Sequence, residues 1–357
     1  MASEAHIDEA KLEAFLGKAL GDCSGATTVL MAGIGDRLGL FKELGANGPA
    51  TSAELSARAG INERYAREWL GHMAAAGYLD YDPANGRFTL PNEHAPILAE
   101  EGGPFFFGGV YQMMAGMSTP LESLERAFQA GGGVHQSEYS EHLWDGMERF
   151  TAGWFENLLV PVWIPAMPDV QKLLERAAEV ADVGCGRGRA LIKLAQAYPN
   201  SRYVGFDAFE PTIARAQANA QAAGVADRVR FEHRDVSKGL PAQYDVICTF
   251  DVVHDAANPL GLLRAIRAAL RTDGRYVCVD INCSDKLEEN TGPLGTFFYG
   301  ASQLYCMTTS LANGGAGLGT LGFHEKKVQE LCAEAGFSGV RRVPLDNPFN
   351  NLYEAKP

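Results

Sequence analysis

Three glycines at alternate positions, two acidic residues further along and one histidine are the residues whose types and spacing suggest chemistry. The glycines fall in Val180-Ala-Asp-Val-Gly-Cys-Gly-Arg-Gly188, where a short apolar run passes into a helical pattern carrying Ala190, Leu191, Leu194 and Ala195. At such a corner glycine lets the backbone turn sharply and leaves room for a ligand to lie against it. Asp207 closes the next apolar run, Tyr203-Val-Gly-Phe-Asp207, 23 residues after Gly184, where a carboxylate can accept both hydroxyls of a ribose. A third run, Val229 to Asp235, also ends in an acid. His254 follows the fourth run, Tyr244 to Phe250, by four residues, and an ordinary imidazole suits proton transfer near neutrality.

The elements that must hold these residues alternate. Strands are predicted near 180–183, 201–206, 229–233, 244–250 and 275–281, and helices near 189–197, 211–223 and 259–270. The pattern predicts an α/β fold, a Rossmann-like, doubly wound, mostly parallel sheet whose ligands sit beyond the carboxyl ends of its strands.

This series resembles the class I S-adenosylmethionine-dependent methyltransferases over residues 170–357. The resemblance implies S-adenosyl-L-methionine as cofactor, with S-adenosyl-L-homocysteine as product. It implies that Gly184, Cys185 and Gly186 pass under the methionine end, Asp207 holds the ribose, and Asp235 with Val236 brackets adenine. Asp182, Ala208, Phe209 and Phe250 complete the implied cofactor set. It further implies a final antiparallel hairpin, for which Gly339–Val343 and Leu352–Ala355 are candidates. A nicotinamide dinucleotide fold is the rival, but it spaces its last glycine one residue further on and has no use for Asp235.

In the similar plant-type O-methyltransferases a His-Asp-Trp tripeptide supplies the base. Here the run is His254-Asp255-Ala256: the His-Asp pair matches and the tryptophan does not. His254 is therefore either the catalytic base or a packed, hydrogen-bonded histidine. His324 begins a late helix, where a helix-start role is expected. Two histidines without a clear third ligand are weak grounds for a metal, and none is assigned.

Residues 1–100 read as a mainly helical winged-helix domain. Apolar stripes at Leu12, Phe15, Leu16 and Ala19 and at Ala26, Val29, Leu30 and Ile34 come first. Thr51 and Glu54 have capping-box spacing, and an Asn85-Gly86 turn between two short apolar runs signals a hairpin. The segment is similar to the N-terminal domain of small-molecule methyltransferases, which implies a homodimer. A DNA-binding role is disfavoured, because these residues hold 14 acidic against 8 basic side chains and the whole chain carries a net charge of −13. Seven scattered cysteines without a Cys-x-x-Cys read as small buried hydrophobes. The start has no signal-peptide pattern and no run is long enough to span a bilayer, so the expected location is the cytoplasm, away from membranes.

Residues 101–169 form a helical linker and pocket region, interrupted at Pro161, Pro165 and Pro168. Ser140 to Leu159 reads as one helix, on which Phe150 and Trp154 are candidate walls of a substrate pocket. Within 295–319, Tyr299, Gln303 and Met307 share a helical face and are the other candidate substrate contacts. The Gly-rich run 313–319 then reads as the hinge of a lid or as a surface loop. Aromatic and Met-rich surroundings point to a flat, apolar, aromatic or heterocyclic small-molecule acceptor, with O-methylation first choice. N-, C- or S-methylation, and a cofactor-binding regulator that uses its winged helix on DNA, are the alternatives.

Overall fold

The computed structural model describes residues 7–357; the opening six residues, part of the stretch without a signal-peptide pattern, lie outside that description. The chain divides into two compact units, Met1–Gly116 with His142–Phe150, and Met117–Glu141 with Thr151–Pro357. The stretch 101–169, expected as one connecting region, is thus shared between them.

In the first unit Asp8 caps a 29-residue helix, Glu9–Arg37, by accepting from Lys11 N. Thr51 and Glu54 form the expected capping box of helix Ser52–Ala59, which stops at Gly60 in the left-handed conformation. Helix Glu63–Ala75 follows, and strands β1 (Asp80–Asp82) and β2 (Arg87–Thr89) pair antiparallel around the Asn85-Gly86 turn. The winged-helix order holds, although β1 begins two residues after Tyr78. Phe41, Leu44, Leu55, Trp69, Leu70 and Met73 make its core. Buried Asp36 takes two Arg149 nitrogens at 2.6 and 2.9 Å, fixing residues 142–150 into this unit.

The second unit is built on β3 (Glu179–Val183), β4 (Arg202–Asp207), β5 (Val229–His233), β6 (Tyr244–Phe250), β7 (Leu270–Ile281), β8 (Gly339–Val343) and β9 (Asn350–Lys356). Their order is β5-β4-β3-β6-β7-β9-β8, parallel except where β9 enters between β7 and β8. Alternate residues feed opposite faces: Val180, Val246 and Cys248 enter one core, Ala181, Ile247 and Tyr276 the other. Chain order reverses between β3 and β6, and a ligand crevice opens at such a switch point. β7 starts five residues earlier than expected. Helix Pro259–Ala269 passes into it without a loop, and the register slip between Tyr244 and Val246 takes up the extra residues of β7 between Leu270 and Arg275.

Helix Glu141–Trp154 continues as a π-helical stretch, Phe155–Trp163, through Pro161 instead of stopping there. Ile164 N reaches Leu159 O, five residues back, at 3.0 Å, and the wider turn accepts a residue without an N–H. Among the described residues no helix is long and apolar enough to cross a membrane.

Candidate active site

The glycine corner leaves β3 with Gly184, Gly186 and Gly188 at φ 74°, 49° and 80°. Gly184 N and Cys185 N both donate to Phe206 O, at 2.8 and 3.0 Å, which pins the corner to β4. A Cβ on Gly184 would meet Val252 Cγ2 at 2.5 Å, whereas one on Gly186 would meet nothing within 4 Å. The backbone is therefore open over Gly186. Asp207 Oδ2 accepts from Gly186 N at 2.9 Å and Oδ1 from Phe209 N at 2.8 Å. Each oxygen keeps a lone pair for another donor. Asp182 is buried, and its Oδ1 has no partner. Burial, and then the neighbouring Asp207, hold its carboxyl well above the usual range.

An open backbone, a doubly anchored carboxylate and an orphaned acidic oxygen fit a cationic nucleoside such as S-adenosylmethionine. The Cys185 thiol is turned inward, its Sγ 2.7 Å from where a Gly205 Cβ would stand, so its backbone is what the corner presents. Asp235 caps the short turn Val236–Lys238, accepting from Ser237 N at 3.1 Å and Ser237 Oγ at 2.6 Å. Val236 is buried and Ala208 exposed. Phe250 packs between Phe155 and Trp163, with ring centroids 5.2 and 6.3 Å away.

Beyond the end of β6, His254 is buried, with Nδ1 2.7 Å from Asp280 Oδ1 on β7. An ionised carboxylate only accepts, so Nδ1 donates and Nε2 is left to take a proton. Burial alone would lower this imidazole; the Asp280 charge outweighs it and Cys306 adds to the effect, so His254 holds its proton well above the usual range. Asp280 Oδ1 also accepts from Ile281 N at 2.9 Å, while Oδ2 is buried without a partner. Asp251, at φ 55°, accepts from Asn350 Nδ2 at 2.7 Å. Donor atoms of Asp251, His254 and Asp280 lie within 4.8 Å of one another, as do those of His254, Asp255 and Cys306.

Asp280, Asp251, Asn350 and Cys306 were not singled out from sequence. The legible signal was Asp280: a charge inside Tyr276-Val-Cys-Val-Asp-Ile281, an otherwise apolar strand. Cys306 reaches His254 because the helix Gly292–Ala301 passes through a π-helical turn, Ser302–Cys306, before resuming at Met307–Ala312. That turn buries Tyr305 and Cys306 and leaves Gln303 exposed, Tyr299 37% exposed and Met307 half-buried. Tyr139 donates to Leu304 O at 2.7 Å and Gln136 Nε2 to Tyr305 Oη at 3.1 Å, so residues 131–140 brace this helix. Trp154 stands beside Phe349, which also meets Phe298. Phe150 belongs to the first unit, where it meets Phe107. His324 takes the helix-start role: Nδ1 accepts from Lys327 N at 3.3 Å.

The run 313–319 is tied down by its backbone. Ala316 N donates to Ala257 O at 3.0 Å and Gly317 N to Ser310 Oγ at 3.1 Å. At Gly315 a Cβ would stand 2.5 Å from Ala257 Cα, so close approach explains that glycine.

A parallel sheet with a glycine corner at its switch point, an acid ending the second strand and a histidine beyond the fourth defines the class I methyltransferase architecture. Comparison with known proteins agrees. Residues 26–100 match the Rv2258c-like winged HTH domain, and residues 174–336 match a methyltransferase domain. A winged-helix domain over residues 26–100 is thus followed by a methyltransferase domain over residues 174–336, the pairing expected from the sequence.

O-demethylpuromycin-O-methyltransferase of Streptomyces alboniger is 31% identical over 183 residues, 50% of this chain and 45% of that protein. A ubiquinone biosynthesis O-methyltransferase of Ruegeria sp. is 30% identical over 30% of this chain and 42% of its own length. The chain thus spans less than half the length of these curated relatives. The fold is shared end to end with the mitomycin 7-O-methyltransferase MmcR, at TM-score 0.69 and 18% identity over 98% of this chain and 100% of that one. Human N-acetylserotonin methyltransferase, solved with S-adenosylmethionine, gives 0.70 and 16% over 99% of each chain.

Proposed function

We propose that the protein transfers a methyl group from S-adenosylmethionine to a hydroxyl of a small aromatic or heterocyclic metabolite, with His254 as general base. The observation that carries this reading is the buried His254–Asp280 pair at the mouth of β6, one strand from the glycine corner. When bound, the cofactor supplies a methyl already activated by its cationic sulfur. The chain has to position the acceptor, exclude water and remove one proton. Asp207 and the backbone of Gly184 to Gly186 would hold the nucleoside, and Asp182 would face its cationic end. Asp280 keeps the His254 proton on Nδ1, so that Nε2 receives the acceptor's. Trp154 and Phe349, both half-buried, offer aromatic surface on the same unit for a flat acceptor, with Phe298 packed behind Phe349. The names of relatives acting on a puromycin precursor and on mitomycin support a hydroxyl on a ring system.

A homodimer belongs to the same proposal. Helix Glu9–Arg37 buries no residue before Thr28, and Leu12, Phe15, Leu16 and Leu20 are 55–70% exposed along it. An apolar stripe on so long a helix needs a partner surface. A second copy of this helix supplies one. The DNA-binding alternative is weakened further, because Arg64 and Arg67 each pair with a glutamate of their own helix, Glu68 and Glu63.

The test is incubation with methyl-labelled S-adenosylmethionine and a panel of phenolic and heterocyclic alcohols. Label should enter an ether in the native protein and fall sharply in His254→Ala. Transfer that survives His254→Ala unchanged would remove the base from the account. Label on nitrogen, carbon or sulfur would replace the acceptor.

A further inference from the structure

Asp251 has no part in the proposal above, yet its placement is costly. It sits at φ 55° at the end of β6, a left-handed conformation that side chains other than glycine, asparagine and aspartate rarely adopt. It is held there from two sides: its N–H donates to Val279 O at 2.9 Å, and Asn350 Nδ2 donates to its Oδ1 at 2.7 Å. The hold brings its carboxyl within 4.8 Å of both Asp280 and the His254 ring. Asp280 is fully buried with an unpartnered Oδ2, and a carboxylate oxygen in that position needs a donor. The groups facing Asp251 are Asp280, His254, Asp255 and the amide of Asn350, with the Cys283 and Cys306 thiols behind the His254–Asp280 pair. Of these only a protonated carboxyl can give Asp280 a short, strong hydrogen bond while keeping its charge on the oxygen that faces the imidazole.

We propose that Asp251 is a positioning residue, held as a carboxylic acid that donates to Asp280 Oδ2 and thereby steadies the oxygen bonded to His254 Nδ1. Two carboxyls within 4.8 Å of each other, Asp280 buried and Asp251 half-buried, do not both ionise at neutral pH. Burial, and then Asp280, push the Asp251 carboxyl up to about 8, whereas His254 and the Asn350 amide pull the other way. The acid is therefore present at neutral pH and lost above that value. Its ionisation adds a second negative charge beside the imidazole. The arrangement is then a chain of acid, carboxylate and imidazole, and it deepens the reading of His254 as base.

Imidazole NMR tests this without an acceptor, so it stands apart from whether methyl transfer is found. Histidine-labelled protein is titrated as the native chain, D251N and D251A, with a His254→Gln spectrum to assign the resonance and thermal melts to check folding. Asparagine tolerates the left-handed backbone, can still accept from Asn350 and can donate to Asp280. D251N is expected to melt no lower than the native chain, to keep the Nδ1-bound proton signal, and to titrate His254 in one step. The native chain is expected to show a second step near pH 8, and D251A to weaken the Nδ1 proton signal. A native curve identical to that of D251N overturns the proposal. Loss of the Nδ1 signal in D251N also overturns it, since an ionised Asp251 would then be the working form.

Discussion

His254, four residues past the end of β6, and Asp280, on the neighbouring parallel strand β7, meet at 2.7 Å, both buried, with the histidine nitrogen donating and the carboxylate accepting. Asp280 thereby sets the tautomer, the ring orientation and the proton affinity of the one imidazole beyond β6. Separating these contributions is the first experimental question.

His254→Ala removes the base and is expected to lower kcat about 10²–10⁴-fold while leaving affinity for S-adenosylhomocysteine nearly unchanged. Asp280→Asn keeps the shape but loses the charge, and a fall on the order of 10²-fold is expected. The pH profile distinguishes the two roles. A base works deprotonated, so kcat/KM should rise with pH along a limb above the ordinary histidine range, because Asp280 raises His254. Without that charge, burial is the largest influence and is opposed only by the smaller effect of Cys306, so the limb should move to lower pH in Asp280→Asn. A limb that stays in place would show that the carboxylate does not tune the histidine.

Asp207→Ala should weaken binding of S-adenosylhomocysteine by roughly 10²–10⁴-fold, measured by calorimetry, from the loss of two charge-assisted hydrogen bonds of about 1.5–3 kcal/mol each. Its carboxylate also holds Gly186 N and Phe209 N, so the apo protein should lose thermal stability as well. Unchanged affinity in a folded variant would place the nucleoside elsewhere.

Much of this architecture was legible because it rests on local pattern. Apolar runs, the Gly184 to Gly188 corner and the Thr51–Glu54 capping box are short-range signals, and each element came within a few residues of its place. The partners of His254 were less legible, because they are set by strand order. Asp280 meets His254 because β7 pairs with β6, and Asn350 reaches Asp251 because β9 inserts between β7 and β8. The π-helical turn at Ser302–Cys306 shifts by one position which side chains face inward, so a 3.6-residue period placed Tyr299 and Gln303 on the site and missed Cys306. Pro161 misled for a related reason, since a π-helical stretch absorbs it.

Gly315 tests how the 313–319 run serves the site. A Cβ there would stand 2.5 Å from Ala257 Cα and 2.6 Å from Ser310 O, both backbone atoms that yield little. Gly315→Ala should therefore cost about 1–3 kcal/mol of stability and displace Ala256 and Ala257, just past His254. A lower kcat at unchanged cofactor affinity is the expected kinetic result. Native activity and melting temperature would mean that the run lifts away freely, as a hinged lid would.

The exposed stripe on helix Glu9–Arg37 gives the last prediction. Burying Phe15 and Leu16, each 68% exposed, against a second copy should contribute about 1.5–3 kcal/mol per side chain. The double variant Phe15→Glu, Leu16→Glu replaces that gain with four carboxylates in one dimer interface, two from each chain, whose repulsion and desolvation oppose association. Light scattering coupled to size exclusion should read twice the chain mass for the native protein and a single chain for the variant. The residues packed around Phe41 and Trp69 do not depend on this end of the helix, so the variant should stay folded by circular dichroism. A native protein that elutes as a monomer at micromolar concentration would require another surface to cover the stripe.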